Sequence, residues 1–304
     1  MAVMILKKLK FCSFLASCIL LLSKSYGYEV RIAYSDLLPE TFEVALNEFS
    51  ETSTLSIKSS KRGSLPMLEE FLSDYLDLCI LAMPEGVGMP IFDQSEFSKF
   101  PFGYKAVVVV ANVDNPVSEL SVEQLRRIFS AQEEFNIKSW RDIGLFGYSV
   151  SSIKSFSLQE ENGITGDLFK YTALEGNGFR SSVKIVDMET LLSSVSSDIS
   201  AIGLLPKKID DPSIKEIYIS KDEDSIGYGV SPSNIYYGDY PLSLPFYILY
   251  KERDTENLLP LLDFLMESSV ATLLDEGDFY SVPKNVRENL MIDIQSLLKG
   301  DFGD

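Results

Sequence analysis

Tyr28-Glu-Val-Arg-Ile-Ala-Tyr34 alternates polar and apolar residues and reads as a strand. Phe42, Ala45, Leu46 and Phe49 follow at helical spacing, and Leu55-Ser-Ile57 reads as a second short strand. A further helix is expected from about Pro66 to Asp77, with the proline in its first turn, where a missing N–H costs nothing. Leu78-Cys-Ile-Leu-Ala82 is a continuous apolar run, as in a parallel strand covered on both faces. The order strand, helix, strand, helix, strand indicates a doubly wound α/β sheet.

Upstream of this unit, Lys7, Lys8 and Lys10 precede an apolar run from Phe11 to Leu22, and Ser25-Tyr26-Gly27 supplies small residues at a cleavage position. This is the layout of a secretory signal peptide over residues 1–27, and the run is short for a membrane span. Leu15-Ala16-Ser17-Cys18 offers a second reading, a lipoprotein box with Cys18 as the lipidated residue. No later segment has eighteen consecutive apolar residues, so no membrane span is expected in the mature chain.

The charge is strongly acidic. Taking the four leader lysines (Lys7, Lys8, Lys10 and Lys24) from 27 basic residues leaves 23 against 45 acidic ones, a net of −22. That disfavours nucleic acid and anionic membrane surfaces as partners, but not an anionic ligand held by local helix dipoles. The sequence has 0 histidines, which removes Ser-His-Asp and Cys-His catalysis and His-containing zinc sites. Beyond the leader only Cys79 remains, inside an apolar run, where a small buried hydrophobe is expected. Asp36, Asp77 and Asp167 are left as candidate acids, and nothing pairs them at a defined spacing. No enzyme, cofactor or metal is expected.

Downstream, Ala106 to Ala111 reads as a buried strand, and Ser121-Val-Glu-Gln124 as a capping box opening a helix with Leu125, Ile128 and Phe129 on its apolar face. Helices are expected at about Gly166–Leu174, Met188–Val195 and Leu258–Leu274 and from about Asn285. Strands are expected at Val183–Val186, Ile199–Leu205 and Phe246–Tyr250.

Ordered segments carry a resemblance. Ala106-Val-Val-Val-Val110, Asn115-Pro-Val117, Leu120-Ser-Val-Glu-Gln-Leu125, Ile128-Phe-Ser130 and Ser139-Trp-Arg-Asp-Ile-Gly144 resemble the phosphate-type periplasmic solute-binding proteins of ABC transporters. Ala201-Ile-Gly203 resembles that family's glycine turn, Asp239-Tyr-Pro-Leu-Ser243 with Phe246-Tyr-Ile-Leu-Tyr250 its return strand, and Gly277-Asp-Phe-Tyr-Ser-Val-Pro283 its C-terminal end. The resemblance implies a type II periplasmic-binding-protein-like fold: two α/β lobes, each a mainly parallel sheet flanked by helices, joined by two hinge crossings near Phe102–Val109 and Pro241–Tyr250. Lobe 1 would comprise 28–104 with 245–304, lobe 2 would comprise 105–244, and a small solute would lie between them.

Three hydroxyls precede expected helices: Ser35, Ser64 (after Gly63) and Thr165. The resemblance makes Ser35, Gly63, Ser64 and Thr165 ligand-binding positions, while each hydroxyl alone also reads as an ordinary N-cap. The sequence departs from the family pattern. Gly163-Ile164-Thr165-Gly166 stands where the family has Ser-Gly-Thr-Arg, no arginine stands near Leu158 or Gln159, Ala82 stands at the family's phosphate-accepting aspartate, and Leu244 at a commonly basic position. Losing a charged hydrogen bond costs about 1.5–3 kcal/mol, so orthodox phosphate binding is not expected to survive intact. Arg62 is a candidate replacement charge, with Lys154 behind it. The resemblance thus implies an exported solute-binding protein, periplasmic or secreted, with a small oxyanion such as phosphate as solute and an ABC permease as partner. The alternative is the same fold reused as an envelope interaction or sensory module.

Overall fold

A computed structural model describes residues 28–84, 96–132, 136–145, 152–159 and 163–299. The leader, with Cys18, lies outside the described residues.

The opening unit forms as its sequence pattern directs. Strands β1 (Glu29–Ser35), β2 (Ser56–Arg62) and β3 (Leu78–Ala82) pair in parallel with β1 in the centre. Helix α1 (Glu40–Thr52) covers one face and α2 (Ser64–Leu72) the other. Alternate strand residues serve the two faces: Ile32, Tyr34, Leu78 and Ile80 join the large core with Phe42 and Leu46 of α1, whereas Ala33, Cys79 and Leu81 pack with Met67, Leu68 and Phe71 of α2. This two-sided burial is why β3 reads as unbroken apolar sequence. Helix α2 ends at Leu72, short of the expected Asp77. Asp74 takes a left-handed φ of 61°. Asp77 is drawn into the sheet edge instead, where its carboxylate accepts from the Arg31 backbone N–H at 2.8 Å and from Nη2 at 2.6 Å.

The chain then runs through β4 (Phe97–Ala106) into β5 (Val108–Asn112), with only Val107 between them. β4 belongs to a six-stranded sheet with β12 (Ser243–Lys251) and β13 (Tyr280–Ser281), in the order β13-β4-β12-β3-β1-β2. β5 belongs to a five-stranded sheet with β7 (Lys154–Leu158), β8 (Lys184–Val186), β9 (Ala201–Leu205) and β10 (Ile214–Glu216), in the order β10-β5-β9-β7-β8. β6 (Glu119–Ser121) pairs with β11 (Tyr218–Ser220) in a small ribbon. The expectation of mainly parallel sheets needs correction: both are mixed. β12 runs antiparallel to β3 and β4, and β5 antiparallel to β9 and β10, because the crossing strands enter and leave each sheet in opposite senses.

Around the second sheet, α3 (Val122–Phe129) starts on the expected capping box: Gln124 N–H donates to Ser121 Oγ at 3.1 Å and Ser121 N–H to Gln124 Oε1 at 3.0 Å. α4 (Thr165–Ala173), α5 (Met188–Ser197) and the short α6 (Pro232–Tyr236) follow. Gly203, expected in a glycine turn, lies inside β9. Glycine is required there by close approach, since a Cβ would stand 2.9 Å from Leu191 and 3.2 Å from Val195 of α5. The long apolar helix expected at Leu258–Leu274 is two helices, α7 (Thr255–Met266) and α8 (Ser268–Glu276), bent by 52° where Glu267 leaves helical geometry at ψ 153°. α9 (Lys284–Lys299) closes the chain. Among the described residues no single helix is long and apolar enough to cross a membrane.

Cys79 is fully buried, and burial pushes its thiol far above the usual range. In the native protein it is expected to resist a thiol-specific colorimetric reagent and to react fully on addition of denaturant. Rapid labelling of Cys79 without denaturant would contradict the two-sided packing of β3.

Candidate functional site

Parallel strands deliver their carboxyl ends to one edge of a sheet, and in open α/β folds ligands bind there. β1 and β2 end in register, Ser35 beside Arg62, and the turns that follow point the same way. Across from them lies the start of α4. Between the two sheets is a cavity of about 740 Å³, lined by Asp36–Glu40, Lys61, Lys105, Gly163–Thr165, Pro206, Gly277 and Asp278 among others. Both sheets contribute: Asp36 to Glu40 lead into α1, Lys105 closes β4, Thr165 opens α4, and Pro206 follows β9.

The residues singled out from sequence do not all reach this cavity. Thr165 lines it as the first residue of α4 and is buried. Gly163 and Ile164 line it too. Ser35 is buried just behind the wall, and its Oγ accepts from Leu37 N–H at 3.2 Å, shaping the turn that carries Asp36 and Leu37 into the lining. Ser64 Oγ accepts from Ala82 N–H at 3.1 Å, tying α2 to β3. Gly63, Ser64 and Arg62 are not among the cavity-lining residues.

None of the three hydroxyl residues occupies the N-cap position of its helix. The N-caps of α1, α2 and α4 are Pro39, Gly63 and Ile164, none with a side-chain cap bond, so the first N–H groups of α4 receive no cap from their own N-cap side chain.

Arg62 forms an ion pair with Glu70 and donates from Nε to Ser60 Oγ at 3.1 Å. Lys154 pairs with Asp198. Asp77 is held by Arg31, and Asp167 by Lys170 at 2.9 Å. The cavity's cations are Lys61 and Lys105. Lys61 was not singled out from sequence, where its neighbour Arg62 was the candidate; successive residues of a strand point to opposite faces, and it is Lys61 that lines the cavity. Lys105 was missed. It is the cross-strand partner of Leu244, where the resemblance implies a basic residue, and partners opposite each other in an antiparallel pair share a face. Its Nζ lies 4.6 Å from the centre of the Phe279 ring. Asp36, Glu40 and Asp278 place carboxylates on the same lining. Among the described residues no group of His, Cys, Asp or Glu is placed to hold a metal ion.

The two sheets, the single-residue crossing and the cleft between them define a class, the two-lobed α/β binding protein. The chain belongs to the PBP superfamily: the family model described as PBP superfamily domain matches residues 91–269. The phosphate-binding protein PstS of Pseudomonas aeruginosa is 25% identical over 198 residues, 62% of this chain and 61% of that one, so this chain matches about three fifths of the relative's length. A crystal structure of a possible phosphate-binding protein from Planctomyces limnophilus superposes with a TM-score of 0.64 at 18% identity, covering 90% of this chain and 100% of the other. PstS from Borrelia burgdorferi superposes with a TM-score of 0.66 at 13% identity, covering 84% and 99%. These two likenesses are of fold.

Ser64, which ties α2 to β3, and Gly277, on the cavity wall, make these contacts testable. S64A removes the acceptor for Ala82 N–H and is expected to cost about 1 kcal/mol, read as a lower urea midpoint at unchanged slope. G277A sets a Cβ 2.6 Å from the rigid Pro39 ring and is expected to cost about 1–3 kcal/mol by the same measurement. A variant as stable as wild type in either case would contradict the contact concerned.

Proposed function

We propose that the chain is an exported solute-binding protein that holds a small oxyanion between its lobes and delivers it to an ABC permease. The observation that carries this reading is one cavity in which the N-terminal turn of α4 meets Lys61 and Lys105. A helix N-terminus offers N–H donors and partial positive charge. Two lysines supply counter-charge, and both act locally against the −18 net charge of the chain. In this reading lobe 1 is 28–104 with 245–304, lobe 2 is 105–244, and closure about the crossings buries the solute. Thr165 and the backbone at Gly163 contact the ligand, Ser35 shapes the opposing turn, and Gly63-Ser64 fixes α2 against the same sheet edge. Export follows cleavage near Gly27 into the periplasm or medium, with a lipid anchor at Cys18 as the other route.

The relative's name, phosphate-binding protein, makes phosphate the first solute to test. Lysine is a point charge where arginine would make a planar fork, so discrimination among tetrahedral anions is expected to be weaker than arginine would give.

A second reading, an envelope interaction or sensory module, is favoured by Asp36, Glu40 and Asp278 on the lining, which set three carboxylates against two lysines.

Thermal unfolding of the purified protein with phosphate, sulfate, phosphonates, amino acids and sugars separates the two. A ligand at one hundred times its dissociation constant adds about 2.7 kcal/mol. Phosphate or a related oxyanion is expected to raise the melting temperature, with T165A, K61M and K105M each weakening the response about tenfold or more and high salt weakening it further. No shift from any oxyanion would transfer the assignment to the second reading.

A further inference from the structure

Lys207 stands two residues beyond β9, in the part of the chain built on the five-stranded sheet, yet its ammonium is spent on the other part. Nζ donates to the backbone carbonyl of Phe279 at 2.9 Å and to that of Asp275, and lies 5.3 Å from the centre of the Tyr280 ring. The next residue adds a second tie: Lys208 N–H donates to Tyr280 Oη at 3.3 Å. Burial pulls the Lys207 pKa down while Asp275 and Asp278 pull it up, which marks the ammonium as partly withdrawn from water.

The position of these ties gives them leverage. The two crossing strands lie side by side, joined by Val107 N–H to Leu242 carbonyl at 2.9 Å, and make a narrow pivot. Tyr280 pairs with Tyr104 on β4, and Leu205 pairs with Val108 on β5, so the ties span the stretch where the chain changes sheets. β13 lies on the side of β4 away from β12. The ties therefore stand about one strand spacing, roughly 5 Å, outside the crossing pair. A link on the pivot would not stretch when the halves rotate; one displaced from it does. The carbonyls that Lys207 holds also bracket Gly277 and Asp278, and Pro206 immediately precedes it, so tie and cavity share a wall. Asp275 stiffens that turn by accepting from Ser281 N–H and Oγ, each at 3.0 Å.

We propose that Lys207 is a positioning residue that fixes the angle between the two lobes, and with it the width of the cleft, without touching the ligand. A bearing on ligand affinity rests on the solute-binding reading; the control of lobe angle does not.

The test is therefore made without ligand. In the full chain carrying C12S and C18S, nitroxide labels at E48C on α1 and S193C on α5, both exposed helix positions, report the interlobe distance by pulsed electron resonance, and buried Cys79 stays unlabelled. K207M keeps an unbranched side chain of similar length but removes the charge and its donors. It is expected to broaden the distance distribution with little loss of melting temperature, and K207R, which still offers several donors, is expected to restore the narrow distribution. Y280F deletes only the hydroxyl that accepts from Lys208 and is expected to broaden it less; should K207M fail to fold, Y280F decides. A K207M distribution superimposing on wild type, or for an unfolded K207M a Y280F distribution doing so, overturns the proposal. A missing oxyanion response would remove the solute-binding reading while leaving a broadened distribution as support for Lys207.

Discussion

A single residue carries the chain from one sheet to the other, and the rest of the architecture depends on how its backbone is satisfied. Val107 is buried, with Ala106 and Val108 buried on either side. A peptide group there cannot turn to water, and an unpaired buried N–H or C=O costs about 1–3 kcal/mol. Both are paired across the crossing: the N–H donates to Leu242 carbonyl at 2.9 Å, and the carbonyl accepts from Tyr240 Oη at 2.6 Å. The same two contacts bind the outgoing strand to the returning one. The strands can therefore leave one sheet together, enter the other, and set the two sheets on either side of a gap.

The cavity follows from that arrangement. Once β1 ends at the gap, the turn after it faces the cavity, and so does the turn before α4 on the other side. Its electrostatics are local. The chain is acidic overall, but the gap receives a helix N-terminus and two lysines from different sheets, with carboxylates on the same lining. Lys105 stands opposite Leu244 as its cross-strand partner.

Several conspicuous polar residues serve the scaffold. Arg62 and Glu70 neutralise each other, Arg31 and Asp77 close the end of the first unit, and Ser64 fastens α2 to β3. Hydroxyls at helix starts look alike in sequence whether they cap, tie or bind, because each needs only a short polar side chain near free N–H groups.

The sequence by itself determined the doubly wound opening, the buried β3, the capping box at Ser121-Gln124 and the inert Cys79, since each depends on periodicity or on contacts within one turn. It also carried the order of segments that marks the superfamily. Only the tertiary structure decided which residues line the cleft. Arg62 and Lys61 are adjacent in the chain and part company because a strand alternates its faces. Lys105 acquires its place through register with Leu244, a strand that arrives 139 positions later. Lys207 meets Asp275 and Phe279 only after both sheets are built. Contacts of that kind are set by register and by the angle of the crossing, which local sequence does not encode.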